Sequence, residues 1–339
     1  MPKTLKRETE TMLKNIWTTV FLLTVVIYQK PANALDLRVQ PRFKTGIQFY
    51  EFEQPEFSSD QDPDNKFPNM QSSIKYSDWL PFVSGGTTLF IDRFFVDVDV
   101  QYLFDGEADS NFTSQNFVSG GGALPIDTVI QNNNGALYAN FDRFEWAISA
   151  GFEVFDNLVL FGGYKYAKTS TTSSISGNIE SFQAINGDNI GFLTGRALGE
   201  VDIEFEYDGP FVGMNYNWRI QQGFMNGGLS FNFAAAFLDS TSQIDLSKVA
   251  VRAENGQVVP LNFQNNDGQG RNQFTELKGD SVGYSFGLAW QGITPVKGLT
   301  YLMGVTGYHY QFDHDQFEGN ATVENRVRLD FGLSYAFDF

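Results

Sequence analysis

Residues 323–339 read VENRVRLDFGLSYAFDF, and the two faces of this stretch differ sharply. Val323, Asn325, Val327, Leu329, Phe331, Leu333, Tyr335, Phe337 and Phe339 make one face, apolar except for Asn325. Glu324, Arg326, Arg328, Asp330, Gly332, Ser334, Ala336 and Asp338 make the other, mostly polar or small. Side chains alternate across a strand, so a period of two over 17 residues is a strand with one face in an apolar medium. Strands of soluble sheets commonly run about 5–6 residues, whereas a tilted strand crossing a bilayer takes about 9–11. The length favours the membrane.

The same pattern repeats upstream as hairpins around short turns. Arms 79–91 and 94–104 flank Asp92-Arg93; arms 144–153 and 158–167 flank Phe155-Asp156-Asn157. Arms 210–220 and 228–238 flank a turn near Gln222-Gly223, and arms 282–291 and 299–312 flank Thr294-Pro295. With a first strand at 37–52 and the terminal one, about ten strands are expected. Between hairpins lie longer polar connections at 54–78, 105–135, 168–199, 239–278 and 313–320. Short turns fall on one side of a membrane and long connections on the other, as in an antiparallel up-and-down β-barrel. Asp208-Gly209-Pro210 looks like a bulge, because the apolar positions Val201, Ile203, Phe205 and Tyr207 change parity beyond it. Asn255-Gly256 reads as the turn of a short outer hairpin; if its arms were to span, the barrel would have twelve strands.

Residues 1–34 read as an address. Lys3, Lys6, Arg7 and Lys14 precede the apolar run 16–28, and Ala32 and Ala34 suit a signal peptidase, so cleavage before Leu35 is expected. The expected mature domain is 35–339. The chain has a formal charge of −17, and the expected mature domain is more acidic still, which argues against nucleic-acid partners. With no cysteine, disulfides, thiolate catalysis and cysteine-ligated metals are excluded. Phe 34, Tyr 14 and Trp 5 suit strands and membrane interfaces.

Asp330-Phe331-Gly332-Leu333-Ser334-Tyr335-Ala336-Phe337, with Phe339 beyond it, resembles the assembly signal of bacterial outer-membrane β-barrels: a polar residue, glycine two on, then two spaced aromatics. The resemblance implies an outer-membrane location and recognition of Gly332, Tyr335, Phe337 and Phe339 by the barrel-assembly machinery. Periplasmic chaperones would assist, outer-membrane lipid and lipopolysaccharide would surround the product, and a monomer is expected. The short turns would then be periplasmic and the long connections extracellular.

Inside such a barrel, the first strand would present Arg38, Gln40, Arg42, Lys44 and Gln48, and the last would present Glu324, Arg326, Arg328 and Asp330. Closure makes these strands neighbours, and Asp97 and Asp99 come from nearby. Two readings stay open: an ion-pair network filling the lumen, or a charged wall of a small-solute path. Opposite them, Ser230, Asn232, Ala234 and Ala236, with Gly283, Ser285, Gly287 and Ala289, leave volume for bulky side chains or for solute.

No catalytic constellation stands out, and no cofactor is implied. The two histidines are His309 and His314, the latter between Asp313 and Asp315. The His-x-Ser pair of lipid A deacylases is absent, and Asp97 and Asp99 lie too near a periplasmic turn to resemble an omptin cleft. Asp60, Asp62 and Asp64 partly match a calcium loop, but Asn65 and Gln71 stand where glycine and a bidentate glutamate belong. The expectation is a non-enzymatic outer-membrane protein, either a narrow or gated channel or a surface-interaction scaffold, with a membrane-embedded hydrolase as the alternative.

Overall fold

A computed structural model describes residues 37–54, 70–116, 133–186, 189–222, 225–245, 248, 250–253, 256, 258–260, 276–314 and 317–338. The expected leader, Asp60, Asp62, Asp64 and Phe339 lie outside these residues. The elements are β1 (Leu37–Gln54), β2 (Met70–Ile91), β3 (Phe94–Asn116), β4 (Asn133–Phe155), β5 (Leu158–Asn186), β6 (Asn189–Gln222), β7 (Met225–Asp245), β8 (Ala250–Ala253), β9 (Val258–Pro260), β10 (Glu276–Ile293), β11 (Leu299–His314), β12 (Phe317–Tyr335) and β13 (Phe337–Asp338). No helix occurs among the described residues.

Ten strands close a barrel by antiparallel pairing in the order β5-β4-β3-β2-β1-β12-β11-β10-β7-β6, with β6 returning to β5. The seam joins β1 to β12, from Arg42 opposite Ser334 to Glu53 opposite Val323, and β13 continues it against Arg38 and Val39. Turns within hairpins are short, and at Asp92 the backbone enters the left-handed region (φ 52°), which aspartate tolerates better than most residues. The expected outer hairpin is β8–β9, turning near Gly256 (φ 83°) and pairing with β6 outside the barrel wall. The barrel therefore has ten strands, not twelve.

The expected bulge at Asp208–Pro210 is absent. Pairing of β6 with β5 runs through Lys165–Gly209 and Tyr164–Pro210 without a register change, and pairing with β7 keeps its register across the same residues. What changes there is the medium. Below Gly209, Val212, Met214, Tyr216 and Trp218 point outward and are exposed; above it, Ile203, Phe205 and Tyr207 point inward and are buried. The apolar set swaps faces where the strand leaves lipid, because outside the bilayer the lumen is the drier side. The same exchange occurs on β1, where Phe43 and Ile47 face out but Tyr50 and Phe52 face in, and on β11, where Met303 and Val305 give way to Tyr310 and Phe312. A true bulge lies in β3, which gains one residue between Leu103 and Gly106 relative to both β2 and β4.

The exchange marks the outer boundary of the apolar belt. Trp79 and Tyr284 stand near it, while Trp218, Phe155 and Phe337 mark the periplasmic end. Just above the belt, Asp208, Asp239, Asp280 and Asp313 sit directly opposite one another on β6, β7, β10 and β11. Much of the length of the polar connections is strand: β5 and β6 run to 29 and 34 residues. Their polarity reflects water on the outer face and says little about backbone conformation.

Candidate functional site: the barrel lumen

The lumen-facing positions expected from sequence fall into two layers. In the lower one, toward the periplasm, Arg42 is gripped by two carboxylates. It donates to Asp97 Oδ2 at 2.8 Å and to Asp99 Oδ2 at 2.7 Å, with Thr88 Oγ1 at 2.9 Å. Bare Gly86 on β2 leaves the space its guanidinium fills. Arg328 donates to Gln101 Oε1 at 2.8 Å and pairs with Asp330 at 3.3 Å; Gln101 in turn donates to Gln48 at 3.0 Å. Lys44 points inward beside them, but no carboxylate of the described residues lies within 4.0 Å of it. Arg38 does not join: it is exposed at the periplasmic end, its guanidinium 4.2 Å from the Phe90 ring centre.

Glu324 and Arg326 belong to the upper layer, whose other members sequence reasoning missed. Arg143 donates to Glu324 Oε2 at 3.0 Å, to Thr169 at 2.7 Å and to the Tyr207 hydroxyl. Arg326 reaches Glu145 at 2.6 Å and Glu324 at 2.9 Å. Lys165 lies 3.4 Å from Glu145 and donates to the Tyr310 hydroxyl at 2.7 Å. Tyr50 and Tyr207 add hydroxyl donors to Glu324 at 3.2 and 3.1 Å. A signal existed: with Phe144, Trp146 and Ile148 facing lipid, alternation turns Arg143, Glu145 and Ala147 inward.

Above this layer the lumen is filled mainly by apolar side chains. Phe52, Leu80, Phe82, Leu103, Phe141, Ile203, Phe205, Leu238 and Phe312 form a packed core at 4% exposure or less. Nine of the ten barrel strands, all but β10, contribute a buried side chain to the plug that the two sets make. The charges sit within it at low cost because each carboxylate is shared by two or three cations and the tyrosine hydroxyls occupy remaining lone pairs.

Below the plug is a cavity of about 250 Å³. Arg42, Lys44, Lys165 and Arg328 line one side with Asp97, Asp99 and Glu145; Phe161, Phe211, Asn232, Ala234, Ala236, Ser285 and Tyr308 line the rest. The small residues of β7 and β10 thus serve both ends foreseen for them. At Gly283 a side chain would overlap the Tyr310 ring, and at Gly287 it would press on the Asn232 amide. Ala234, Ala236 and Ser285 instead border empty space.

The remaining singled-out residues lie outside the lumen or on its seam. Gly332 faces inward, where a Cβ would fall 2.9 Å from Lys44 Cγ, so its bareness lets β1 close on β12. Tyr335 and Phe337 point outward, their rings 4.6 Å apart. His309 faces outward, with Nδ1 2.7 Å from Asn325 Oδ1, and Asn325 donates to Glu51 at 3.2 Å. Among the described residues no hydroxyl bonds to His309, and no group of acidic and histidine side chains is arranged to hold a metal ion.

No protein-family model matches the sequence, and no curated protein matches it. Among solved structures the chain is similar to the outer membrane protease OmpT from Escherichia coli, at 11% identity over 91% of this chain and 99% of that one, with a TM-score of 0.59. The translocator domain of the autotransporter NalP from Neisseria meningitidis covers 97% of this chain and 98% of its own at 11% identity, with a TM-score of 0.35. A Pseudomonas aeruginosa FadL homologue covers 90% of each chain at 11% identity, with a TM-score of 0.30. The likeness to OmpT is one of fold: the chain folds as an outer-membrane β-barrel.

Proposed function

We propose that this chain is a non-enzymatic outer-membrane protein that works as a surface-interaction scaffold, its closed barrel anchoring β-structure that projects outside the cell. The plug carries this reading. An open pore needs a continuous aqueous lumen, and here side chains from nine of the ten strands fill it. The outward extent supports it too: from the face exchange to their tips, β5 and β6 run some 20 residues each, roughly 65 Å of strand at about 3.3 Å per residue. On this reading the barrel is monomeric, ringed by lipid and lipopolysaccharide, and delivered by chaperones and the assembly machinery that read its C-terminal strand.

Planar-bilayer recording tests the proposal. Purified wild-type protein is expected to insert without conducting; stepwise ion currents at moderate voltage would overturn the closed-lumen reading. A gated small-solute path is the second reading, favoured by the cavity beneath the plug. It predicts that Tyr310→Ala, which removes a ring from the plug, conducts where the wild type does not. A hydrolase would need the His309–Asn325–Glu51 chain to activate water. Lipid A, phospholipid and peptide profiles are expected to match between cells carrying the wild type and a His309→Ala/His314→Ala double variant; a profile altered by that pair would revive the enzyme.

A further inference from the structure

We infer that the cavity beneath the plug is a binding site for a small organic monocarboxylate with an apolar body, and that Lys44 holds its carboxylate. The inference goes beyond the scaffold reading and stands whether or not the plug ever opens.

Charge balance comes first. Four cations and three carboxylates line the cavity. Arg42 is matched by Asp97 and Asp99, Lys165 by Glu145, and Arg328 by Asp330. Among the described residues, Lys44 alone of the four has no carboxylate within 4.0 Å, and it shares Asp99 and Asp330 with Arg42 and Arg328 at longer range. A half-buried ammonium in a narrow lumen with no direct ion pair favours an anion in contact with it. A carboxylate is an acceptor suited to the three N–H donors of an ammonium. A dianion such as phosphate fits worse, because Asp97, Asp99 and Glu145 already crowd the same wall.

The rest of the cavity sets aromatic and alanine side chains beside the polar Gln101, Asn232 and Ser285. Phe161 and Phe211 stand in edge contact, 6.2 Å between ring centres, and Ala234, Ala236 and the Tyr308 ring complete that side. About 250 Å³ holds roughly eight waters at about 30 Å³ each, and is just below the usual range of about 300–1,000 Å³ for drug-sized ligands. That suits one small acid and excludes a sugar chain or peptide. Entry is from the periplasmic end, since the plug closes the other.

Benzoate is the probe, titrated calorimetrically into refolded protein in detergent micelles, with benzyl alcohol and inorganic phosphate as comparators. Saturable one-to-one benzoate binding is expected, at least tenfold weaker for benzyl alcohol, which lacks the charge, and for phosphate, which lacks the apolar body. Lys44→Met is expected to weaken benzoate at least tenfold and Lys44→Arg to retain it. Ala234→Phe, which fills the cavity but keeps every charge, is expected to abolish binding and guards against misfolding of the lysine variant. Heat-modifiable migration on gels certifies each variant as folded. Absent benzoate binding to folded wild type, equal binding to folded Lys44→Met, or phosphate as tight as benzoate would each overturn the proposal. Bilayer conductance does not enter the outcome, so the scaffold reading and the site fail separately.

Discussion

Glu324 is wholly buried and receives Tyr50, Tyr207, Arg143 and Arg326, so it is the hub of the plug. Removing one partner of a buried charge network strands the others, which typically costs about 3–5 kcal/mol. Glu324→Ala is therefore expected to destabilise the barrel by about that amount, read by urea unfolding in lipid vesicles followed through tryptophan fluorescence. Replacing Arg143 and Glu324 together by apolar residues of similar volume should cost less than the single change, because no charge is left alone. Gly283 tests packing where Glu324 tests charge. Gly283→Val forces a side chain into the Tyr310 ring and is expected to cost about 1–3 kcal/mol as overpacking; a neutral result would mean that Tyr310 does not lie against β10.

Each strand carries two environments in series, and the boundary between them is measurable. An arginine on the lipid face near the bilayer midplane costs about 2–4 kcal/mol and little near the interface. Phe286→Arg on β10 is expected to show the large penalty, and Gln311→Arg on β11, beyond the face exchange, almost none, in the same unfolding assay. Equal penalties would move the boundary. Across the aspartate row, like charges directly opposite are destabilising, so Asp280→Asn should raise stability modestly at low salt and less at high salt. This serial arrangement also explains what alternation revealed and what it hid. Where outward meant lipid, as at Phe331, Leu333 and Tyr335, strand, face and register were all readable. Where outward meant water, the apolar set moved to the other face. The swap on β6 then imitated a bulge, and the Thr- and Ser-rich rise of β5 imitated a loop. The actual bulge in β3 left no mark, because it lies just beyond Phe104, where the outward alternation running from Phe94 ends.

Taken whole, the molecule is strongly acidic, at −17, yet its lumen cavity carries one more positive than negative side chain. Half of the lumen was legible in the sequence, because β1 and β12 alternate cleanly and their closure follows from the barrel itself. Arg143, Glu145, Lys165 and Tyr310 were not recognised, since which strands face one another across a lumen depends on the tilt and stagger of the closed sheet, which no local pattern records. The absence of cysteine makes the orientation testable. Single cysteines at Arg252, on the outer hairpin, and at Asn157, in a short turn, are expected to react differently with a membrane-impermeant maleimide on intact cells: the first labelled, the second silent. Labelling of Asn157→Cys would invert the topology. The plug has one more consequence, for how the chain folds. Arg143 and Glu324 are 181 residues apart and sit on strands separated by the β1–β12 seam, so an unclosed sheet has no interior in which they can meet. Core packing and seam closure are therefore a single late event, and the chain should reach its native state without a populated intermediate that has either one alone.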